Sequence, residues 1–192
     1  MVPVTESPRR RLTERQAEMV RRLTEAALEE IRASSYDGLT VRNVASRAGV
    51  AAATAYTYFV SKDHLIAEVF WRRLRELPPS RLNGKTTAAA RVGASLRPLT
   101  SFLASEPKLA AATTTALLSE EPDVKHLRDR VGALIRRRIV DALGDDADGA
   151  VVNALELCVA GAMIQAGMGH VSYEDLPERI AEVAGLLLRG HR

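Results

Sequence analysis

The chain has 192 residues, of which 46% are hydrophobic and 27% are charged, and its formal net charge is +3. This length allows one large domain or two small ones, with enough volume for a hydrophobic core. Cys158 is the lone cysteine, which excludes an internal disulfide and favours a reducing compartment. The first residues lack the apolar segment of a signal peptide, and no apolar run approaches the roughly 20 residues that span a bilayer. We therefore expect a cytoplasmic protein with no membrane contact.

The predicted elements begin with a disordered arm over residues 1–12, which carries the run Arg9-Arg10-Arg11. From Thr13 to about Ser34, apolar residues recur at the spacing of one helical face, which predicts a helix. Tyr36, Asp37 and Gly38 then predict a turn.

The segment Thr40–Lys62, TVRNVASRAGVAAATAYTYFVSK, predicts two short helices joined by a tight turn. The Thr40 hydroxyl can accept a free amide of the first turn and so cap the first helix. Gly49 lies where the chain must turn sharply, often with a positive φ. The second helix, Ala51 to Tyr58, presents small residues, threonines and tyrosines. This pattern is typical of a helix-turn-helix DNA reader.

The stretch VASRAGVAAATAYTYFVSKDHL resembles the N-terminal signature of TetR-type transcriptional regulators. The matching features are the VA..AGV helix and turn, the T.Y.YF recognition helix and the SK..L start of the next helix, within about residues 13–75. The resemblance implies a DNA-binding domain followed by a helical half that binds a small ligand and forms a homodimer.

Further helices are expected after the motif. Ser61 is placed to cap a helix that ends near Leu77, and residues 77–85 predict a linker because prolines and a glycine interrupt the pattern. The last five helices are expected near 86–104, 107–118, 122–143, 147–168 and 174–189. The sequence thus predicts an all-α fold, with a three-helix helix-turn-helix DNA-binding domain at 13–76 and a helical ligand-binding and dimerisation domain at 86–192.

The distribution of charge agrees with a DNA reader in the first half. Residues 1–76 hold 13 Lys/Arg and 10 Asp/Glu, whereas residues 77–192 hold 14 of each. The positive excess therefore lies in the half with the motif, as phosphate binding favours.

Candidate phosphate contacts follow from the resemblance, which places Thr40, Tyr56, Tyr58 and Lys62 at the DNA backbone. Each has an alternative role. Thr40 could serve only as a helix cap, one of the two tyrosine rings could pack against the domain, and Lys62 could be a solvated charge. The arginine run at 9–11 could enter a minor groove, although a solvated tail is the commoner fate of such a run.

Candidate base contacts lie on both helices of the motif. Arg42 could reach a guanine edge with its planar guanidinium, and the second helix offers Ala52, Ala53, Thr54 and Thr57. Many relatives carry lysine or glutamine at 52 and glycine or proline at 53. The alanines therefore imply fewer polar base contacts and more reliance on DNA shape.

Patterns of catalytic or metal-binding residues are absent from the sequence. The four histidines have no metal-ligand spacing, and there is no glycine-rich phosphate loop. Cys158 stands between Leu157 and Val159, where a cysteine is more often core than nucleophile. We expect no enzymatic activity, no cofactor and no metal.

The second half has few aromatic residues, since only Phe102 and Tyr173 lie beyond residue 76. A pocket there would be lined by aliphatic side chains and threonines. That composition favours a small apolar ligand, such as an acyl chain or a terpenoid, over a flat cation. The candidate pocket residues are Phe102, Thr113, Thr114, Leu117, Leu134, Asn153, Cys158 and Gln165.

The last two predicted helices have apolar faces that suit a second copy of the chain. The same faces could instead close the core of one chain. The candidate interface residues are Leu155, Ala162, Met163, Ala166, Ile180, Val183 and Leu187.

These observations favour a homodimeric, ligand-responsive repressor that binds a palindromic double-stranded operator. The alternative is a helical lipid- or protein-binding module whose DNA reader is vestigial. An activator of the same fold is not distinguished from a repressor by sequence.

Overall fold

The computed structural model describes residues 14–79 and 87–190, and over these ranges it contains α-helices and no β-strand. The helices are α1 (Glu14–Ser34), α2 (Val41–Arg47), α3 (Ala52–Tyr58), α4 (Lys62–Glu76), α5 (Ala88–Ser105), α6 (Pro107–Ala116), α7 (Pro122–Leu143), α8 (Gly149–Gly167) and α9 (Leu176–Gly190). Short 3-10 turns precede α8 and α9. The predicted all-α fold is confirmed. The arm at 1–12, with Arg9-Arg10-Arg11, and most of the predicted linker at 77–85 lie outside the described residues.

The first hydrophobic core is formed mainly by the four helices α1, α2, α3 and α4. Leu23 and Ile31 of α1 are fully buried against Val44 of α2, Ala55 of α3 and Leu65 of α4. Leu109, Ala112 and Ala116 of α6 complete the same core. By sequence α6 belongs to the second half of the chain, yet it packs in the first core. The division into two domains at residues 77–85 therefore remains a prediction.

The second core lies among α5, α7, α8 and α9. Its centre includes Leu96, Ile139, Leu155 and Ile180, each with almost no exposed surface. Among the described helices, α5 and α9 pack against each other most extensively. There, a Cβ built on Gly93 would lie 2.4 Å from the carbonyl oxygen of Pro177, so the two helices approach each other as closely as they do only because residue 93 is glycine.

A third cluster connects the two cores through α4 and α7. Phe70, Trp71 and Leu74 of α4 pack with Val124 and Leu127 of α7. The helix that follows α2 and α3 is therefore held directly against the second half of the chain.

Candidate nucleic-acid interface

The motif's first helix and turn are fixed by local hydrogen bonds. Thr40 caps α2, since its Oγ1 accepts the amide of Asn43 at 3.1 Å. Gly49 has a φ of +66°, a conformation that L side chains rarely adopt, and the following amide of Val50 returns to the carbonyl of Ala45 at 3.0 Å. Arg22 of α1 donates from Nη2 to the carbonyl of Ala48 at 2.5 Å, which satisfies the end of α2.

The second helix of the motif, α3, has one face in the core and one in solvent. Ala55 is fully buried, and Phe59, directly after the helix, is buried as well. On the other side Ala53 and Thr57 are exposed, and Tyr56 leaves 47% of its surface in solvent. An exposed aromatic ring beside small side chains is a surface that a DNA groove can accept.

Lys62, at the start of α4, is held by the turn before α2. Its Nζ donates to the carbonyl of Tyr36 at 3.2 Å and lies 3.9 Å above the centre of the Tyr36 ring. The Tyr36 hydroxyl donates to Oδ1 of Asp63 at 2.6 Å. Burial, together with that bond, raises the pKa of Tyr36 to about 12, so the phenol stays protonated.

The structure brings the predicted DNA-contact residues to one region around the motif but exposes them unequally. Arg42 is exposed on α2 and, among the described residues, forms no hydrogen bond or ion pair. Thr57 donates its hydroxyl to the carbonyl of Ala53 at 3.0 Å, which leaves its lone pairs free to accept. The remaining three α3 candidates, Ala52, Thr54 and Tyr58, are only half-exposed, and of these Ala52 and Tyr58 pack partly on the first core.

Comparison with known proteins identifies the motif. Residues 23–69 match the family model described as "Bacterial regulatory proteins, tetR family". The chain is also 44% identical, over 196 residues, to an uncharacterised HTH-type transcriptional regulator of Mycobacterium tuberculosis (strain ATCC 25618 / H37Rv), which covers 96% of this chain and 92% of that protein. This chain belongs to the TetR family of transcriptional regulators. Its family therefore consists of DNA-binding regulators, not enzymes, as the sequence predicts.

Other transcriptional regulators resemble the chain less closely. The HTH-type transcriptional repressor KstR of Mycolicibacterium smegmatis is 29% identical over 141 residues, or 69% of this chain and 67% of that one. A TetR transcriptional regulator from Rhodococcus sp. RHA1 has the same fold, with a TM-score of 0.75 and 24% identity over 91% of this chain and 98% of that one. FadR from Bacillus subtilis, solved with stearoyl-CoA, has a TM-score of 0.57 and 20% identity over 85% of this chain and 96% of that one.

The predicted pocket residues of this TetR-family chain do not surround one cavity. Leu134 lines a cavity of about 460 Å³, whereas Phe102 lines a smaller one of about 240 Å³. Asn153 and Gln165 lie on the exposed side of α8, where Asn153 accepts a hydrogen bond from Arg136. The sequence predicts that both side chains line a pocket, whereas in this chain both are exposed to solvent.

The other four pocket candidates are at least partly buried. Thr113 is buried, and Thr114 donates to the carbonyl of Ala110 at 3.1 Å, which is the local role that helical threonines commonly have. Leu117 packs at the edge of the α4–α7 cluster. Cys158 is half-buried against the second core, and burial raises the pKa of its thiol, which makes it less nucleophilic.

The predicted dimer residues fall largely inside one chain. Leu155, Ile180 and Ala166 are buried in the second core, so the face that includes them closes the monomer. For these three residues the alternative holds, in which the face closes the core of one chain. On α8, the spacing does not show which side faces inward, because the helix is apolar on nearly every side. The remaining candidates are half-buried, and of these Ala162, Met163 and Leu187 pack at the edge of that core, whereas Val183 does not belong to it.

A different face of α8 is open. Leu157 has 77% of its surface exposed and Met168 has 64%, with Ile164 between them on the same side. Leu186 of α9 is also largely exposed. Within the described residues, α8 is the one helix long and apolar enough to cross a membrane by length and composition, a property that core helices of soluble proteins share.

Sequence reasoning missed several residues that hold the DNA reader in place. Arg22 caps the end of α2, and Glu30 of α1 accepts a 2.8 Å hydrogen bond from Nε of Arg47. Tyr36 positions Lys62, although the sequence indicated only a turn there. The aromatic residue in an otherwise polar turn was a usable signal, whereas the two arginine contacts depend on how α1 crosses α2.

Proposed function

We propose that this protein is a cytoplasmic, homodimeric, ligand-responsive transcriptional repressor that binds a palindromic operator. The observation that carries the proposal is the orientation of α3. Ala55 and Phe59 anchor the helix, while Ala53, Tyr56 and Thr57 face solvent. A recognition helix held by one face and open on the other is what reading a major groove requires.

The proposed DNA contacts divide into two kinds. Thr40, Tyr56, Tyr58 and Lys62 contact phosphates and fix the register of the reader. Arg42 and the exposed side of α3, namely Ala53, Thr57 and the partly exposed Ala52 and Thr54, face the base edges. The near absence of polar groups among the α3 residues supports a reader that depends on Arg42 and on DNA shape.

Two copies are needed because one short reader makes few contacts. Dimeric readers bind half-sites about 34–36 Å apart, one helical turn of DNA. The exposed apolar residues Leu157 and Ile164 of α8, and Met168 directly after it, recur at the spacing of one helical face, and Leu186 of α9 is exposed as well. We take this patch as the self-association surface, because exposed apolar patches of this kind mark association sites.

The ligand class is proposed from the composition of the second half and from relatives. Aliphatic side chains dominate there, which suits an acyl chain or a terpenoid. FadR of Bacillus subtilis was solved with stearoyl-CoA, and KstR is named a repressor. An apolar ligand that binds the DNA-incompetent conformation more tightly must weaken DNA binding in proportion to that difference.

Selection of bound DNA from a random pool tests the proposal. We expect an inverted repeat bound by two chains, with an affinity that falls steeply as salt rises. Placing that site over a promoter in purified transcription then distinguishes a repressor from an activator. Binding without sequence preference would instead support a helical lipid- or protein-binding module with a vestigial reader.

A further inference from the structure

A cavity of about 460 Å³ opens between α4, α5 and α7, on the side of α4 away from the first core. Its apolar lining includes Trp71 and Leu74 of α4, Leu77 just after it, and Leu134 of α7. The volume lies in the range of small-molecule sites, about 300–1,000 Å³.

Arginines stand around the apolar lining. Arg75 of α4 and Arg137 and Arg138 of α7 line the same cavity, and Asp141 is the one carboxylate among its described lining residues. Within residues 14–79 and 87–190, Arg137 forms no ion pair or hydrogen bond, and Asp141 pairs with neither arginine. Among the described residues, the cavity lining therefore carries a net positive charge that no ion pair neutralises.

Arg138 is half-buried, and its Nη1 donates one hydrogen bond, to the carbonyl of Ser95 at 3.3 Å. Desolvation lowers the pKa of this guanidinium. A half-buried cation with a single neutral partner gains from an anion placed beside it, because charge-assisted hydrogen bonds are the strong ones.

Trp71 fixes the wall of the cavity. The guanidinium carbon of Arg130 lies 4.4 Å from the centre of a Trp71 ring, and that of Arg75 lies 5.8 Å away. Two guanidinium groups thus lie close to the indole, which is almost fully buried.

We propose that this cavity binds an amphipathic anion, a small molecule with an aliphatic body and a terminal carboxylate or phosphate. The body contacts Trp71, Leu74 and Leu134, and the anionic group pairs with Arg137 and Arg138. The inference deepens the ligand response proposed above and rests on it for its regulatory consequence.

The consequence follows from the position of α4. This helix of 15 residues is about 22 Å long, with the cavity near its C-terminal end and the DNA-reading motif directly before its N-terminal end. The N-terminal end is held to α7 by a 2.7 Å hydrogen bond from Ser61 to Glu121. A molecule inserted between α4 and α7 at the far end changes the angle between the helices and, with it, the orientation of α3.

The binding test uses fluorescence, because Trp71 is the sole tryptophan of the chain. The full-length protein is titrated with decanoate, decyl phosphate, decanol and decylamine below their micelle concentrations. We expect saturable changes with the two anions, weaker binding of decanol and none of decylamine. Shortening the acid should weaken binding by about fourfold per methylene.

Substitutions of the arginines test which of them bind the anionic group. Arg137→Ala and Arg138→Ala should each weaken decanoate binding by about tenfold, and Arg137→Lys by less, because it keeps a cation. Arg179→Ala is the matched control, since Arg179 is exposed on α9 and does not line the cavity. Equal affinity for decanol and decanoate, no saturable change, or unchanged affinity in both alanine variants would overturn the site.

A second titration, against operator-bound protein, tests regulation separately. Release of DNA by decanoate, lost in Arg137→Ala, supports the regulatory role, whereas binding without release overturns it. If the protein selects no operator, the proposed repressor function fails, and the fluorescence titration still decides whether the cavity binds amphipathic anions.

Discussion

Ser61, which caps α4 just after the recognition helix, donates a 2.7 Å hydrogen bond from Oγ to Oε2 of Glu121 at the start of α7. The same oxygen accepts the amide of His64 at 3.1 Å. One hydroxyl thus caps the helix that follows the motif and also joins this helix to the second half of the chain. Nearby, Nδ1 of His64 and Oδ2 of Asp123 are 3.9 Å apart, which brings a second pair of residues to the same junction.

The two roles of Ser61 are separable by mutation. Glu121→Ala removes the contact between helices and leaves the cap, so we expect it to lower the free energy of unfolding by about 0.5–1.5 kcal/mol. Ser61→Ala removes both and should cost about 1–2 kcal/mol. Urea unfolding measures each value. The double variant should be no less stable than Ser61→Ala, and fully additive losses would show that the two residues do not interact energetically.

Tyr56 is the exposed aromatic residue of α3, and its ring is proposed to contact the DNA backbone. Tyr56→Ala should weaken operator binding by about 1–3 kcal/mol, because a contact made only in the complex is lost. Its helical circular dichroism and thermal midpoint should remain those of the unaltered protein. Tyr56→Phe separates the hydroxyl from the ring, and full affinity in the folded alanine variant would remove Tyr56 from the interface.

Lys62 and Arg42 should differ in what they contribute. Lys62→Ala should weaken specific and nonspecific DNA alike and lower the salt slope by about one unit, as expected for one phosphate contact. Arg42→Ala should instead relax the preference at one position of each half-site. Repeating the selection with each variant measures both effects. Lost affinity with unchanged base preference in Arg42→Ala would make it another phosphate contact.

The DNA-reading half could be predicted from sequence because its signals are local. Thr40 lies three residues before the amide that it accepts, and Gly49 takes the positive φ that its position in the turn indicated. Both depend on neighbours within one turn, so the residue type alone predicts the geometry.

The second half of the chain was less predictable, because its candidate sites depend on packing between helices that are distant in sequence. On α8, both Leu155 and Leu157 are leucines in an apolar helix, yet the first is fully buried and the second largely exposed. Helical spacing does not select the buried side when nearly every side is apolar. The cavity lined by Trp71 and Arg137 likewise depends on how α4 crosses α7. A local sequence pattern does not predict that crossing.

Gly93 allows the close contact between α5 and α9, and we expect any larger residue there to destabilise the fold. A Cβ there would lie 2.4 Å from the Pro177 carbonyl oxygen, a backbone atom that moves only with α9. Gly93→Ala should therefore lower the free energy of unfolding by about 1–3 kcal/mol. The matched control is Gly132→Ala in α7, which has nothing within 4 Å of the added carbon and should stabilise by about 0.5–1 kcal/mol. Equal effects in urea unfolding would contradict the close approach.

Leu157 and Leu155 test the self-association surface as a matched pair on one helix. Leu157 has 77% of its surface exposed in the single chain, whereas Leu155 has none. Leu157→Glu should leave each chain folded and dissociate the dimer, because a two-fold interface buries the new charge twice and an unpaired buried charge costs several kcal/mol. Leu155→Glu places the same charge in the second core and should unfold the protein.

Sedimentation velocity and circular dichroism over a range of concentrations separate these outcomes. We expect a folded monomer for Leu157→Glu, with weakened operator binding because its two readers are no longer joined. A Leu157→Glu protein that remains dimeric at the lowest concentrations would place the interface away from the Leu157, Ile164 and Met168 face. Dissociation without loss of helicity would establish that the exposed side of α8, and not the buried side that the sequence suggested, joins the two copies.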